Sequence, residues 1–469
     1  MKTLDQIAAE LQGYDPQALS ADQVLDFLSR LVTPVQDTLE LPLMQALGRV
    51  LAQDVVSPFD VPPHDNSAMD GYAFDGAQLV AGKVLELRVA DGTALAGKAW
   101  QGSAGPGQCV KIMTGAIMPM GLDTVVPQEF VTVQPDGQGT RISIPAGLLR
   151  PGDNRRLRGE DLMQGRPALL KGELVTPARL GLAASLGLKT LSTWRPLRVA
   201  YFSTGDEILS LGEAPREGAV YDSNRYTVFG MLSRLGCEVI DMGVVRDDPP
   251  LLEAAFKRAA AEADAIITSG GVSVGEADFT KAMMKKLGDV AFWRIAMRPG
   301  RPMAVGRIST DKSGSSQIGT SASSYENNSA PGDGGRFTAG PPQGETAPSG
   351  SAGAVLFGLP GNPVAVMVTF LAFVRPALLQ MMGAKPVRAP LLKAQSLEPI
   401  RKKPGRTEYQ RGWVSTAADG SLQVKTTGNQ GSGVLRSMAE ANGLMVLHHA
   451  QGNVAAGDLV DVLMFEGAL

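Results

Sequence analysis

The chain has 469 residues, enough for about two to four domains, and 44% of them are hydrophobic but only 5% aromatic, so aliphatic packing must dominate its cores. A net charge of −3 gives no electrostatic case for nucleic acid, and two distant cysteines in apolar settings, Cys109 and Cys237, fit a reducing compartment and exclude a thiolate zinc site. The three histidines (His64, His448 and His449) leave little room for a histidine metal cluster or a Ser-His-Asp triad.

The start, MKTLDQIAAELQ, is amphipathic and acidic, unlike a signal peptide, and no apolar run reads as long enough to span a bilayer. The expectation is a cytoplasmic protein that meets no membrane. SADQVLDFLSRL (20–31) opens on an N-cap serine and has helical apolar spacing. LPLMQALGRVL (41–51) reads as a second helix with Pro42 in its first turn. SPFDVPPHDNSAMDGYAF (57–74) is loop until Gly71. LELRVA, CVKIM, DTVVPQEFV and TRISI then read as strands of a small β domain, in which KIMTGA (111–116) ends a strand in a tight turn. GDNRRLRGEDLMQG (152–165) is strongly charged, either a solvated linker or a polar wall facing a charged ligand. Residues 176–186 give another helix, with Pro177 in its first turn.

From Arg198 strands and helices alternate. The strands are RVAYFST, CEVIDMGVV and DAIITS, with helices over 224–235, 250–262 and 279–287, followed by AFWRIAM, PMAVGRI and AVLFGLPGNPVAVMVTFLAFVRPALL. This predicts a doubly wound α/β domain with ligand loops at the carboxyl ends of its strands. Residues 309–352, rich in Ser, Gly, Ala, Thr and Pro, are expected to be disordered and to interrupt that domain at a hairpin tip. After Lys385 the short strands EYQRGWV, LQVKTT, GLMVLHH and LVDVLMF predict a compact β-barrel or sandwich.

The chemistry centres on TSGGVSVGEADFTK (268–281), a strand end, a glycine turn and a helix start. Gly270, Gly271 and Gly275 let the backbone approach a ligand, and N–H groups at the helix start favour an anion. An acid beside such a cradle, Asp278, makes Mg²⁺ the natural bridge. Other polar loops follow strands: Ser203-Thr204-Gly205-Asp206-Glu207, Arg246-Asp247-Asp248-Pro249 and Gly358-Leu359-Pro360-Gly361-Asn362-Pro363. Because parallel strands end on one side, Glu207, Asp247 and Asp278 can share a site that holds a cation against a phosphate.

In order along the chain, DNSAMDGYA, KIMTGA, RRLRGED, STGDE, RDDP, SGGVSVGEADFTK, GLPGNPV and GNQGSG resemble the MoeA family of molybdopterin molybdenumtransferases, which includes the E domain of gephyrin. The resemblance covers nearly the whole chain except 309–352. It implies four domains: a discontinuous helical and extended linker domain (1–56 with 151–190), a small β lid (57–150), a molybdopterin-binding α/β domain (191–384) and a C-terminal β-barrel (385–469). It also implies Mg²⁺, adenylylated molybdopterin and molybdate as substrates, AMP as product, and an elongated homodimer with a cleft shared between subunits. The resemblance makes Asp247 and Asp278 the Mg²⁺ acids, and Asp65, Thr114, Asp161 and Glu207 residues important for activity. Ser203, Thr204, Gly205, Ser269, Gly270, Gly271, Ser273, Pro360 and Pro363 fall on its cofactor-binding loops. Arg411 and Ser432 match residues linked to molybdate handling. FWRIAMRPGRP carries Arg294, Arg298 and Arg301 where the family has lysines; charge is kept, but a planar fork replaces a point charge. Candidate partners are a molybdopterin adenylyltransferase and molybdoenzyme maturation factors. Two other readings stand beside this one, an adenylyltransferase or nucleotide pyrophosphatase on the same α/β fold, and a non-enzymatic scaffold.

Overall fold

A computed structural model describes residues 2–137, 139–272, 278–310, 353–386 and 388–465, with the side chains of Asp136 and Asp278 outside that description. Its centre is a six-stranded sheet. Strands Glu238–Val245, Arg198–Thr204, Ala265–Ser269 and Ala354–Leu359 run parallel, and Pro302–Ile308 and Gly288–Arg294 extend the sheet antiparallel. The three inner parallel strands, Arg198–Thr204, Ala265–Ser269 and Ala354–Leu359, are buried on both faces because helices cover both, while the edge strand Glu238–Val245 keeps Glu238 and Asp241 exposed. Val199 and Tyr201 point into one cluster with helices Ser223–Arg234 and Pro363–Thr369. Ala200 and Phe202, one residue out of phase, point into another with Pro249–Glu262 and Asp278–Leu287. Thr204, Val245, Ser269 and Leu359 therefore all end at one edge.

Two N-terminal helices, Leu4–Glu10 and Ala21–Leu31, each start with a capping box, from Thr3 and Ser20. Such caps contribute about 1 kcal/mol each. Both helices bury their apolar face in the first of those clusters, where Phe27 meets Trp293 edge-on at 4.9 Å. The run Pro363–Met381 is long and apolar enough to cross a membrane by length and composition, which corrects the expectation of no such run; 67% of its 18-residue apolar window is buried inside the protein, as in a core helix.

Three short ribbons carry the chain out to the small β domain and back. They pair Thr38–Pro42 with Thr190–Trp194, Val55–Val56 with Pro167–Leu169, and Asn66–Ser67 with Arg155–Arg156. The helix expected over 41–51 shrinks to Leu43–Ala46, because Gly48 turns at φ +75° and Val50 and Leu51 bridge to Leu174 and Thr193. Beyond the ribbons lies a six-stranded sheet whose two apolar clusters come wholly from residues 72–149. The strand expected over 123–131 stops at Pro127 in a single 3-10 turn.

The C-terminal strands Leu392–Ser396, Thr407–Thr416, Leu422–Thr426, Gly443–Leu447 and Leu459–Met464 close into a five-stranded barrel. Met297, expected to end the strand AFWRIAM of the α/β sheet, leaves it, and Met297–Arg298 pairs in parallel with Thr407–Glu408 of the barrel. Ile308 and Ala354 are antiparallel partners, as a hairpin insertion requires, and 311–352 lies outside the described residues.

Candidate active site

The glycine cradle is a packing consequence of two adjacent strand ends. Ser203 lies opposite Ser269, and Ser269 opposite Leu359. Gly270 follows at φ +92° and Gly271 at φ +67°. A Cβ at Gly270 would lie 2.5 Å from the Thr204 carbonyl oxygen, and one at Gly271 2.6 Å from Thr280 Cγ2, so both positions exclude side chains. The Gly270 N–H donates to the Leu359 carbonyl at 3.2 Å, and Gly361 lies against Gly270, which draws the Pro360–Pro363 loop to the cradle. Ser273 lies outside the described residues, and Asp278 opens its helix with its side chain undescribed.

An acid patch stands at the neighbouring strand ends. Gly205 turns at φ +142°, and the Glu207 carboxylate folds back over it. Arg216 and Arg246 both donate to the Asp206 carbonyl oxygen, and the Asp247 N–H donates to Asp206 Oδ1 at 3.4 Å. Asp247 Oδ1 is buried with no hydrogen-bond partner. Burial pushes the Asp247 carboxyl up, and repulsion from Asp206 and Glu207 adds to that.

The barrel reaches this edge through one loop. Asn362 Nδ2 donates to Ser432 Oγ at 3.1 Å, and the Val364 N–H donates to the Ser432 carbonyl at 3.1 Å. Arg411 is only 1% exposed. Its guanidinium donates to Ser437 Oγ at 3.0 Å and to the carbonyls of Asn429 (3.2 Å) and Gly431 (3.0 Å). It is thus the internal brace of the loop that presents Ser432. Burial and the nearby Arg298 pull its pKa down to about 10, which leaves it charged at neutral pH. Arg294, Arg298 and Arg301 are exposed.

Asp65, Thr114 and Asp161 gather elsewhere, at the base of the small β domain. Asp65 Oδ1 accepts from the Arg158 N–H at 2.8 Å, and its other oxygen faces Arg155 at 3.4 Å. The Asp161 N–H bonds to Val61, and the turn after Thr114 bonds back to Ser67 and Asp65. Thr114 donates from both its N–H and its hydroxyl to Asp70 Oδ1, each at 2.7 Å, holding that carboxyl below the usual range. The strands of this domain pair among themselves and its apolar clusters are self-contained, and none of the contacts above joins this group to the acid patch.

Sequence reasoning passed over Asp70, Asp206 and Asn362, although all three lie inside motifs it quoted. Only the hydrogen bonds above give them work.

Comparison with known proteins agrees along the chain. Profiles described as the MoeA N-terminal region (domain I and II), a probable molybdopterin binding domain and the MoeA C-terminal region (domain IV) match residues 19–187, 200–380 and 393–465. A Haemophilus influenzae protein named molybdopterin molybdenumtransferase is 38% identical over 453 residues, covering 96% of this chain and 100% of that one. Molybdopterin molybdenumtransferase 2 of Mycobacterium tuberculosis is 34% identical over 435 residues, 90% of this chain and 94% of that one. The crystal structure of a molybdopterin biosynthesis MoeA protein from Pyrococcus horikoshii OT3 shares the fold at a TM-score of 0.70 and 24% identity, covering 96% of this chain and 100% of that one. With its edge-mounted cradle, acid patch and barrel loop, and with relatives of this identity along nearly its full length, this chain belongs to the MoeA family.

Proposed function

We propose that this protein is a molybdenum insertase: it hydrolyses adenylylated molybdopterin, transfers molybdate to the dithiolene sulfurs and releases AMP. The observation that carries the reading is the convergence, at one sheet edge, of the Gly270–Gly271 cradle, the acid patch around Asp247 and the Asn362–Ser432 contact to the barrel. The cradle and helix start suit a phosphate. Molybdate, as a dianionic substrate, suits the Ser432 hydroxyl with Arg298 and the braced Arg411 nearby. The dithiolene brings its own sulfur, and burial pushes both protein thiols, Cys109 and Cys237, up to about 12, so neither is poised as a nucleophile.

Mg²⁺ fits the acid patch. A cation beside Asp247 gives its orphaned oxygen a partner and offsets the repulsion from Asp206 and Glu207. Among the described residues no three acidic, histidine or cysteine side chains form a cage, which suits an ion that takes one or two carboxylates and completes its shell with water and phosphate oxygens. Asp247 with Asp278 would hold it, and when bound it neutralises charge on the phosphate. Glu207, exposed on the same edge, accepts the proton of the attacking water. Ser203, Thr204 and Ser269 shape the floor, while Pro360 and Pro363 set the course of the loop that reaches Ser432.

The group at Asp65, Thr114 and Asp161 needs a route to this edge. A twofold homodimer provides one, with the small β domain of one subunit closing over the sheet edge of the other. The protein works in the cytoplasm, downstream of an adenylyl-transferring enzyme and upstream of molybdoenzyme maturation. Purified protein incubated with adenylylated molybdopterin, Mg²⁺ and molybdate should release AMP and yield active molybdenum cofactor. AMP release without metal insertion would leave only a pyrophosphatase, and no AMP release would remove the reading.

A further inference from the structure

The small β domain holds a hydroxyl whose polarity is fixed by its neighbour. Gly71 is the register partner of Ile112, so Asp70, at the start of one strand, stands beside Thr114, just past the end of the next. A Cβ at Gly71 would lie 1.9 Å from the Val126 carbonyl oxygen, so glycine is what lets this strand enter between its two neighbours. The backbone around Asp70 is pinned as well. Ser67 Oγ donates to the Met69 carbonyl at 2.6 Å, and the Gln128 N–H donates to the Asp70 carbonyl at 3.0 Å. On the facing turn, the Gly115 N–H donates to the Ser67 carbonyl at 2.9 Å. The Thr114 N–H and hydroxyl then both reach Asp70 Oδ1, each at 2.7 Å.

Counting protons sets what this pair can offer a ligand. The Thr114 N–H, and after it the Thr114 hydroxyl, hold the Asp70 carboxyl below its usual range, so it is ionised at neutral pH. An ionised carboxylate only accepts hydrogen bonds. The one hydroxyl proton of Thr114 is therefore committed to Asp70, and this exposed side chain has only lone pairs left to present. Asp70 is half-buried, and among the described residues no hydrogen bond or ion pair engages its Oδ2. The arginines of the same region are held elsewhere: Arg155 faces Asp65 at 3.4 Å, and Arg158 Nε donates to Asp60 at 2.6 Å. Thr114 Oγ1 and Asp70 Oδ2 are thus two neighbouring acceptors. Phosphate and molybdate oxygens would meet them lone pair to lone pair, with like charge at Asp70. An adenine edge sets its amino N–H beside a ring-nitrogen acceptor, so it suits one of the two and opposes the other. The aminopyrimidinone edge of a pterin sets an amino N–H beside a ring N–H, donor beside donor, and matches both.

We infer that Asp70 and Thr114 recognise the pterin ring of the substrate: Asp70 Oδ2 and Thr114 Oγ1 accept from its amino and ring N–H groups, and Asp70 Oδ1 positions the Thr114 hydroxyl for that role. The inference rests on the function proposed above, in which the small β domain closes on the substrate. It gives the two ends of that substrate separate seats, the pterin at the base of the small domain and the phosphate at the Gly270–Gly271 cradle. It also excludes Thr114 as a donor to either oxyanion.

The test is an equilibrium titration of the full-length protein with two probes: molybdopterin lacking its adenylyl group, kept anaerobic, and AMP. Asp70→Asn keeps an oxygen for both Thr114 bonds and replaces only the outer acceptor by a donor, so Tm should stay within a few degrees of wild type. Its Kd for molybdopterin should rise about tenfold or more, while its Kd for AMP stays within about twofold. Thr114→Val removes the other acceptor and should also weaken molybdopterin about tenfold. Thr114→Ser keeps both the donor to Asp70 and the outward lone pairs and should bind within about twofold of wild type. In turnover the two impaired variants should raise KM and leave kcat within about twofold, a split that general damage to the fold would not give. Asp70→Asn that binds molybdopterin as tightly as wild type, or that loses AMP equally, would overturn the pterin assignment, and so would a wild type that binds no molybdopterin. Molybdopterin binding that follows this pattern in a protein that releases no AMP would sink the insertase reading and leave the pterin site standing.

Discussion

At the scale of single residues, two positions separate catalysis from stability in opposite directions. Asp247 carries a raised carboxyl pKa, so its neutral form is favoured by the fold. The sign follows: the stabilising contribution is full at low pH and is lost as pH rises through the folded pKa, because ionisation then meets burial, Asp206 and Glu207. Asp247→Asn should therefore melt at or above the wild-type Tm without Mg²⁺, with a lead that widens as pH rises from the acid range. It should also lose about 100-fold or more in AMP release, and the Tm increase that Mg²⁺ gives wild type should disappear. A normal Mg²⁺ response in the mutant would remove the metal role. Arg411 behaves in the opposite sense. Its truncation to Ala would break three hydrogen bonds inside the barrel, to Ser437 Oγ and to the carbonyls of Asn429 and Gly431, at a cost of about 2–4 kcal/mol on chemical denaturation. Ser432→Ala loses only the contact to Asn362 and should keep Tm while weakening the response to molybdate. Equal destabilisation by both substitutions would mean that Arg411 is not the brace.

At the scale of elements, the insertion between the last two strands of the sheet is the sharpest test. Ile308 pairs with Ala354, and a Cβ at Gly353 would lie 2.0 Å from the Ile308 carbonyl oxygen. The hairpin is thus closed tightly just outside its last pair, and Gly353 must be retained. Replacing residues 311–352 by a turn of about four residues should move Tm by no more than a few degrees, since loop length enters stability only logarithmically. A fall of about 10 °C or more would show that the segment packs on the domain. Elements with strong local signals were legible in the sequence: Ser20 and Gln23 box the start of Ala21–Leu31, Thr176 and Pro177 open Pro177–Ser185, and the apolar strands at 265–269 and 354–359 are buried throughout. The stretch at 41–51 was misread because its spacing is helical while its partners, Leu174 and Thr193, lie more than a hundred residues away. Met297 was misread for the same reason, since the partner strand of Met297–Arg298 belongs to the barrel. In the site, Glu207 and Asp247 could be placed because parallel strands must end together. The hydrogen-bonded hydroxyls of Tyr201, Ser203 and Ser269 could not, because they depend on the lateral register of two strands rather than on spacing in one.

At the scale of the whole molecule, the two groups of candidate site residues are built on separate supports. Asp65 and Thr114 stand at the base of a sheet whose core is its own, and Asp247 stands at the edge of the α/β sheet. The ribbons that join them, 55–56 with 167–169 and 66–67 with 155–156, run the chain out and back as one strut, so the small domain is carried as a unit. A strut of this kind can place Asp65 over the partner's edge in a twofold dimer. Subunits carrying Asp65→Ala and subunits carrying Asp247→Ala, each inactive alone, distinguish the arrangements when they are dissociated and mixed. With a shared cleft, each heterodimer has one site holding both substitutions and one holding neither. Random exchange makes about half of the dimers heterodimers, so about a quarter of all sites regain the wild-type set, and AMP release should recover to about that fraction. With a cleft built from a single chain, every site keeps one substitution and mixing restores nothing. Tagged subunits that exchange fully yet stay inactive would therefore rule out the shared cleft, and the Asp65 group would then have to act on its own chain by swinging on the same strut.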